Sequence, residues 1–234
     1  MITDIHSHIL PGLDDGSKSL SKSIEMLKME AAQGIGRVVA TPHFYPRYDR
    51  PEVFLAKRKT AEMRLREEME KHPGLPQVEV GAEVRYFLGM SQSNALPELT
   101  IGPNPFILVE LEEGPWGESV YQELERISRE RGFTPVIAHV ERYISPFSAN
   151  RHIRRLMELP VLVQSNAGFF LNARTRRKAL EMLQKGQIHV LGSDCHDLLH
   201  RPPRLGEAAG LIQKKLGHQG LEWIGTHERK IFSV

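Results

Sequence analysis

The sequence predicts an α/β fold in which parallel strands close into a barrel of about seven βα units. Short β-branched or apolar runs alternate with longer segments of helical periodicity, the pattern of strands and helices around a parallel sheet. Polar residues follow all but one of the seven runs, and parallel α/β folds build their sites at the carboxyl ends of strands. An open sheet concentrates its site at one switch point, so this spread favours a barrel.

Each element rests on a local pattern. The predicted strands are ITDIHSH, RVVATPH, QVEVGAE, FILVELE, TPVIAHV, PVLVQSN and IHVLGSD. The predicted helices cover residues 20–33, 52–71, 118–130, 149–158, 175–185 and 204–216, and LEWIGTHERKIF predicts a closing helix. In the first helix Leu20, Ile24, Leu27 and Ala31 share one face, as in a helix packed on a sheet. No repeat or low-complexity linker divides the chain, which predicts a single domain over residues 1–234.

The composition is that of a globular protein and argues against several classes of function. No apolar run approaches the roughly 18 residues that span a bilayer, which argues against membrane insertion. The net charge is only +2, with both signs interspersed, so a nucleic-acid groove is not expected. The start MITDIHSH lacks the basic and long apolar regions of a secretory signal, and a single cysteine excludes an internal disulfide. We therefore expect a cytoplasmic protein.

The stretch GSDCHDLLHR is compatible with two different active sites. Cys195 and Arg201 have the Cys-x5-Arg spacing of phosphatases that attack phosphate with a thiolate. Asp194 and His196, on either side of the cysteine, have the chemistry and spacing of metal ligands at a strand end. The loop has no glycine between Cys195 and Arg201, and Asp194 and Asp197 would oppose thiolate formation. The metal interpretation is favoured, with Cys195 buried and inert and Arg201 still able to bind phosphate.

Histidines and carboxylates also stand at or near the other strand ends. His6 and His8 are two residues apart and therefore face the same way on an extended strand. Each of the other positions has an ordinary structural explanation when taken alone, and Glu112 or Glu113 are alternatives to Glu110. Together they give five imidazoles and four carboxylates: His6, His8, Asp15, His43, Glu83, Glu110, His139, Asp194 and His196.

This donor set exceeds the needs of one ion and suits two or three divalent ions that share bridging carboxylates. Mixed nitrogen and oxygen donors without thiolate favour manganese, iron or zinc over a structural zinc of the cysteine type. Three divalent ions carry six positive charges against four carboxylates. The remaining two positive charges would attract a hydroxide and a phosphate, as a hydrolytic site requires.

The ordered motifs DIHSHILPGLDDG, ATPH, GAE, LVEL, AHVERY and GSDCHDLLHRPP resemble those of the polymerase and histidinol phosphatase (PHP) superfamily. More closely, they are similar to its bacterial CpsB/CapC branch, the metal-dependent protein tyrosine phosphatases of capsule and exopolysaccharide synthesis. The similarity runs from residue 2 to about residue 206. The resemblance implies a distorted seven-stranded β/α barrel, in agreement with the seven predicted strands.

The resemblance also implies the role of each site residue. One metal would be held by His6, His8, Glu83 and Asp194, a second by Glu83, Glu110 and His139, and a third by Asp15, His43 and His196. The phosphate-binding arginines of the family match Arg142 and Arg201, whose planar forks can each donate two hydrogen bonds to phosphate. Asp197 stands where relatives commonly carry Asn, an additional negative charge that would weaken phosphate binding or shift its pH dependence.

The implied reaction is hydrolysis of protein phosphotyrosine by attack of a metal-bridging hydroxide on phosphorus. The implied partner is the phosphotyrosyl tail of an autophosphorylating bacterial tyrosine kinase. Three alternatives stay open: a histidinol-phosphate phosphatase or other small phosphoester hydrolase, a non-catalytic metal-binding regulatory module, and a nuclease. The segment FYPRYDRPEVF, residues 44–54, either lines the entrance with aromatic and basic groups or forms a solvated surface loop. The sequence leaves the oligomeric state open.

Overall fold

A computed structural model describes residues 2–144 and 151–233. The strands in these residues are β1 Ile2–Ser7, β2 Ile35–Ala40, β3 His43–Phe44, β4 Gln77–Val80, β5 Glu83–Arg85, β6 Phe106–Glu110, β7 Thr134–Ile137, β8 Leu162–Asn166 and β9 Val190–Gly192. The helices are α1 Leu20–Ala32, α2 Pro51–Met69, α3 Glu118–Arg129, α4 Arg151–Met157, α5 Ala167–Leu171, α6 Arg176–Gln184, α7 Leu205–Leu216 and α8 His218–Phe232.

The strands form two parallel sheets that curl towards each other. One sheet has the order β1-β2-β4 and the other has the order β3-β5-β6-β7-β8-β9. The chain passes from the first sheet to the second between β2 and β3 and again between β4 and β5. On the far side, Ser7 forms an isolated parallel bridge with Cys195, and the backbone N–H of His8 donates to the Cys195 carbonyl at 2.9 Å. The carboxyl ends of β1 and β9 therefore meet.

The predicted parallel α/β class is confirmed, but the strand count differs from the prediction. The runs RVVATPH and QVEVGAE are each divided into two short strands. Pro42 lies at the first division and has no N–H with which to extend the ladder of β2. Gly81 lies at the second, where an added Cβ would come within 2.7 Å of the Thr100 carbonyl oxygen. Both divisions move the chain from one sheet to the other without interrupting the apolar pattern.

The helix ends that lie in described residues agree with the predictions to within two residues, apart from the start of the closing helix, which lies three residues before its predicted segment. The first residues of the helix predicted at 149–158 lie outside the described residues. In α1, Ile24 and Leu27 are buried, and the Ser19 side chain caps the helix by accepting the Lys22 N–H. The short helix α5 was not predicted. Within the described parts of the chain, no helix has the length and apolarity to cross a bilayer.

The core leaves one end of the strands free for a site. Ile5, Val39, Leu108 and Val136, from four different strands, pack together with Ile231 of α8. The end of α8 covers the amino ends of the strands, since its Phe232 ring lies 4.7 Å from the Arg37 guanidinium near the start of β2. The carboxyl ends, where the predicted polar residues cluster, face the opposite side.

Candidate active site

His6 and His8 project from the end of β1 to the same side, as their spacing predicts. Their Nε2 atoms lie 3.2 Å apart, and both imidazoles are fully buried. The Glu83 Oε2 atom lies 3.2 Å from His6 Nε2 and 3.3 Å from His8 Nε2. The Asp194 Oδ1 atom lies 3.6 and 3.5 Å from the same two nitrogens. Two nitrogens and two carboxylate oxygens therefore converge on one point, as ligands do around an ion.

The outer nitrogens of these imidazoles are held by two residues that the sequence analysis did not select. His8 Nδ1 lies 2.7 Å from Asp14 Oδ2, and His6 Nδ1 lies 3.2 Å from Gln164 Oε1. A partner on the outer nitrogen fixes the ring orientation and leaves Nε2 free to bind a metal. The sequence feature that could have indicated Asp14 is its position beside Asp15 in the DDG turn. Gly16 of this turn lies so close to the His8 backbone that an added Cβ would overlap it.

Glu83 lies at the centre of the cluster, between four imidazoles. His139 Nε2 is 2.8 Å from Glu83 Oε1, and His43 Nδ1 is 2.9 Å from Glu83 Oε2. The contact between His43 Nδ1 and Glu83 Oε2 does not have hydrogen-bond geometry. Both atoms are buried, and neither has a hydrogen-bond partner within residues 2–144 and 151–233. Burial alone would raise the pKa of Glu83, but the charge of His6 and the hydrogen bond with His139 hold it well below its usual range. Glu83 is therefore a carboxylate.

Two of the candidate ligands have a left-handed backbone. His139, just past β7, has φ 34°, and Asp194, just past β9, has φ 54°. These are the only residues other than glycine with positive φ in the described chain, and such strain commonly marks functional sites. His139 Nε2 lies 3.5 Å from Glu110 Oε1, so this conformation brings His139 between Glu83 and Glu110.

A third group of donors lies towards the outside of the cluster. Asp15 Oδ1 is 3.5 Å from His43 Nε2 and 3.3 Å from His196 Nε2. The rings of His8 and His196 lie 3.9 Å apart, so this group adjoins the first one. The Asp15 side chain is 65% exposed, which places it at the open side of the site. His196 Nε2 is a further buried atom for which the described residues provide no hydrogen bond.

The structure brings all nine sequence-predicted donors together. Eight of them form three overlapping sets in which the donor atoms lie within 4.8 Å of one another: His8, Asp15, His43 and His196; His6, His8 and Asp194; and His43, Glu83 and Glu110. The ninth, His139, contacts Glu83 at 2.8 Å. Unpartnered buried nitrogen and oxygen atoms cost free energy unless a cation or proton lies between them. Five imidazoles and four carboxylates without thiolate suit divalent ions, so these residues fit a metal centre. The last set differs from the implied ligand sets, because His43 also approaches Glu83.

Arg142 and Arg201 reach the cluster from its open side. Arg142 Nη1 donates to Glu110 Oε1 at 3.1 Å, and its Nη2 donates to Asp194 Oδ2 at 3.2 Å. Arg201 Nη2 lies 2.7 Å from the same Asp194 oxygen. The two side chains are 34% and 40% exposed, so each guanidinium contacts a candidate ligand and solvent at once. Two forked cations beside the donor cluster have the chemistry suited to an oxyanion.

Comparison with known proteins identifies the family. The model of the family described as capsular polysaccharide synthesis, CpsB/CapC, matches residues 2–230. The chain belongs to the CpsB/CapC family. It is 28% identical to the tyrosine-protein phosphatase CpsB of Streptococcus agalactiae, over 92% of this chain and 91% of that protein. It is 29% identical to the tyrosine-protein phosphatase YwqE of Bacillus subtilis, over 92% of this chain and 85% of that protein.

The solved structures agree with this membership. One from the work on YwqE of Bacillus subtilis and CpsB of Streptococcus pneumoniae, described as unique metal-dependent tyrosine phosphatases, matches with a TM-score of 0.86. The match has 26% identity and covers 97% of this chain and 93% of that one. A mutant of organophosphorus hydrolase matches with a TM-score of 0.57 and 13% identity, over 98% of this chain and 92% of that one. This match shows a similarity of fold alone.

Cys195 of this CpsB/CapC chain lies on the other side of the strand end from the candidate ligands. Its side chain is fully buried, as the sequence analysis predicts, and lies beside Asp4 and Glu30. Burial, and then the charges of Glu30 and Asp4, raise the pKa of the thiol well above its ordinary value. A buried thiol that resists deprotonation cannot serve as the nucleophile. The Cys-x5-Arg spacing is therefore accidental.

Asp197 is directed towards its own loop. Its Oδ1 accepts the backbone N–H groups of Leu199 and His200, both at 2.6 Å, and that of Arg201 at 3.3 Å. The carboxylate thus shapes the loop that carries Arg201. An asparagine Oδ1 can accept the same hydrogen bonds.

Arg85 is a further residue of the site that sequence reasoning missed. Its Nη1 lies 3.0 Å from Glu110 Oε2, and its Nη2 lies 3.4 Å from Glu112 Oε1. Arg85 follows Glu83 by two residues in β5, and alternate residues of a strand share a face. The two-residue spacing from Glu83 could therefore have indicated that Arg85 faces the site.

Proposed function

We propose that this chain is a metal-dependent phosphatase that hydrolyses phosphotyrosine in proteins. The proposal rests on the convergence of nine nitrogen and oxygen donors with Arg142 and Arg201 at one mouth. A phosphomonoester dianion matches this combination of a cation site and two guanidinium groups. The family membership and the names of the relatives support phosphotyrosine as the ester.

The proposed ligands are the nine donors, and the proposed ions are manganese, with iron or zinc as alternatives. Two or three bound divalent ions would supply positive charge beside the phosphoryl oxygens and lower the pKa of a nucleophilic water. Asp14 and Gln164 hold the His8 and His6 rings so that their Nε2 atoms face the cluster. Glu83, kept ionised by its imidazole neighbours, faces the same point.

Arg142 and Arg201 would bind and orient the phosphate. Both guanidinium groups contact the Asp194 carboxylate, which holds them at the mouth before substrate arrives. Their N–H groups that face solvent can donate to the phosphoryl oxygens, where charge develops in the transition state. The tyrosyl leaving group has a conjugate pKa of about 10, so it departs more readily than a seryl alkoxide.

The experiment is a comparison of phosphate release from a phosphotyrosyl peptide, a phosphoseryl peptide and histidinol phosphate, with manganese present. We expect the phosphotyrosyl peptide to be the preferred substrate. Arg142→Met and Arg201→Met should each lower kcat/KM for it at least tenfold, since a charged hydrogen bond contributes about 1.5–3 kcal/mol. Arg129→Met is the matched control, because Arg129 pairs with Glu125 on the surface of α3 and should retain full activity.

Other outcomes would select another function. Preference for histidinol phosphate would indicate a small phosphoester hydrolase. If both arginine variants kept full activity while variants of the metal ligands failed to fold, the ions would have a structural role and the regulatory-module alternative would gain.

We also propose the finer features of the fold and setting. Residues 1–234 would form one PHP-type domain, and counting β2 with β3 and β4 with β5 as single strands gives the seven strands of a distorted (β/α)7 barrel. A cytoplasmic location fits the buried free thiol of Cys195. The capsule context of the family supports an autophosphorylating bacterial tyrosine kinase as the phosphotyrosyl partner.

A further inference from the structure

A cleft of about 280 Å³ opens beside the donor cluster. Its lining includes four aromatic residues, two arginines and one carboxylate, namely Tyr45, Tyr48, Tyr86, Phe87, Arg47, Arg85 and Glu112. Part of the segment at residues 44–54 therefore lines an entrance. Phe54, at its end, instead lies in α2 and packs on Phe44 with the ring centroids 4.9 Å apart.

The cleft shares walls with the site. The Tyr45 ring stacks on the His43 imidazole, at 5.0 Å between centroids and 26° between planes. Arg85 lines the cleft and also pairs with Glu110 of the donor cluster, at 3.0 Å. The cleft therefore adjoins the donor cluster through Tyr45 and Arg85, and a group attached to a phosphate at the mouth lies next to it.

The lining is suited to an aromatic ring. Aromatic pairs attract in offset or edge-to-face arrangements, and the partly buried rings of Tyr45, Tyr86 and Phe87 offer such contacts, while Tyr48 is 87% exposed at the rim. The volume is close to the lower limit of ligand pockets, about 300 Å³, and is therefore suited to a side chain. Arg47 is exposed at the rim and forms no ion pair within residues 2–144 and 151–233, so its charge is available to a polypeptide with acidic groups.

We propose that this cleft binds the aromatic ring of the leaving group, and that it selects the tyrosyl side chain of a partner polypeptide over aliphatic phosphate esters. The proposal rests on the proposed function, because it takes the donor cluster as the phosphate site. Tyr86 and Phe87 are the specificity-determining residues that can be changed without touching a candidate ligand.

The test is the binding of two non-hydrolysable peptides of one sequence to the manganese-loaded protein, measured by calorimetry. One peptide carries difluorophosphonomethyl-phenylalanine and the other carries an aliphatic phosphonate residue of the same charge. The wild type should bind the aromatic peptide about three- to tenfold more tightly, the range expected for contacts between aromatic rings. Phe87→Ala and Tyr86→Ala should each reduce this ratio, while affinity for the aliphatic peptide stays within about twofold.

Leu88→Ala is the control, since Leu88 is on the same loop and 75% exposed but does not line the cleft. It should keep the full preference for the ring. Equal binding of both peptides by the wild type, or an unchanged ratio in both aromatic variants, would overturn the proposal. The two aromatic variants are independent, so either suffices if the other does not fold. Failure to hydrolyse phosphotyrosine would count against the proposed function alone, because this binding requires no turnover.

Discussion

Asp14 provides the sharpest test of how the donor cluster is held. Its side chain is only 6% exposed, and its Oδ2 lies 2.7 Å from His8 Nδ1 and accepts the His43 backbone N–H at 3.0 Å. Its Oδ1 accepts the Gly16 N–H at 2.9 Å. Burial alone would raise the pKa of Asp14, but the hydrogen bond and the charge of His8 hold it well below its usual range. Asp14 thus orients His8 as an ionised acceptor without itself facing the ions.

Asp14→Asn preserves the shape and removes one acceptor. Whichever way the amide is turned, its NH₂ group faces either the Gly16 N–H or the pair formed by His8 and His43, so the three hydrogen bonds cannot all persist. Loss of an outer partner of a ligating histidine typically weakens metal affinity about 10- to 100-fold, equivalent to about 1.4–2.8 kcal/mol. Titration with Mn²⁺, followed by the electron paramagnetic resonance signal of free ion, measures this affinity directly.

Asp197→Asn is the matched control, since its carboxylate contacts the backbone of its own loop rather than the donors. We expect it to bind Mn²⁺ like the wild type. Thermal unfolding in chelator separates loss of affinity from loss of fold. A folded Asp14→Asn variant with Mn²⁺ affinity within twofold of the wild type would refute the assignment of His8 as a ligand oriented by Asp14.

Two further predictions concern groups outside the donor cluster. Cys195→Ala should retain phosphatase activity within about twofold. It should lose roughly 1 kcal/mol of unfolding free energy, since it removes one buried heavy atom. A large loss of kcat in a folded variant would instead indicate that the Cys195 thiolate is the nucleophile. Burial raises the pKa of Glu228 from 4.5 to about 7, so the stability that its protonated form contributes is fully present below pH 4.5 and is lost as the pH rises through about 7. Glu228→Gln should therefore reduce the fall in Tm between about pH 5 and 8. If the Tm of the wild type and of the variant fell in parallel over this range, Glu228 would not have the raised pKa.

The order of strands and helices was predictable because apolar runs and helical periodicity are local. The two divided strands were not, since the apolar pattern continues through Pro42 and Gly81 while the backbone moves to another sheet. That change depends on which strands lie alongside, and no local pattern encodes it. The helix α5 was missed for a related reason: AGFFL is a short apolar run, which periodicity cannot assign to helix or strand.

The donors themselves were predictable because carboxyl ends of parallel strands meet at one edge. The residues that orient them were harder to find. Gln164 is an ordinary polar residue in its own strand, and only the packing of β8 between β7 and β9 brings its amide to His6 and to the His139 backbone. Asp14 was passed over for its neighbour Asp15, because a turn sequence does not show which carboxylate faces inward.

We assign hydrolysis to the histidine and carboxylate cluster and not to Cys195. The most direct measurement is phosphate release from a phosphotyrosyl peptide at mildly alkaline pH, before chelation, after chelation and after manganese is added back. We predict that chelation abolishes activity and that manganese restores it, because the nine donors fit divalent ions and the thiol resists ionisation. Activity that persists in chelator would show that hydrolysis does not depend on a metal at these donors.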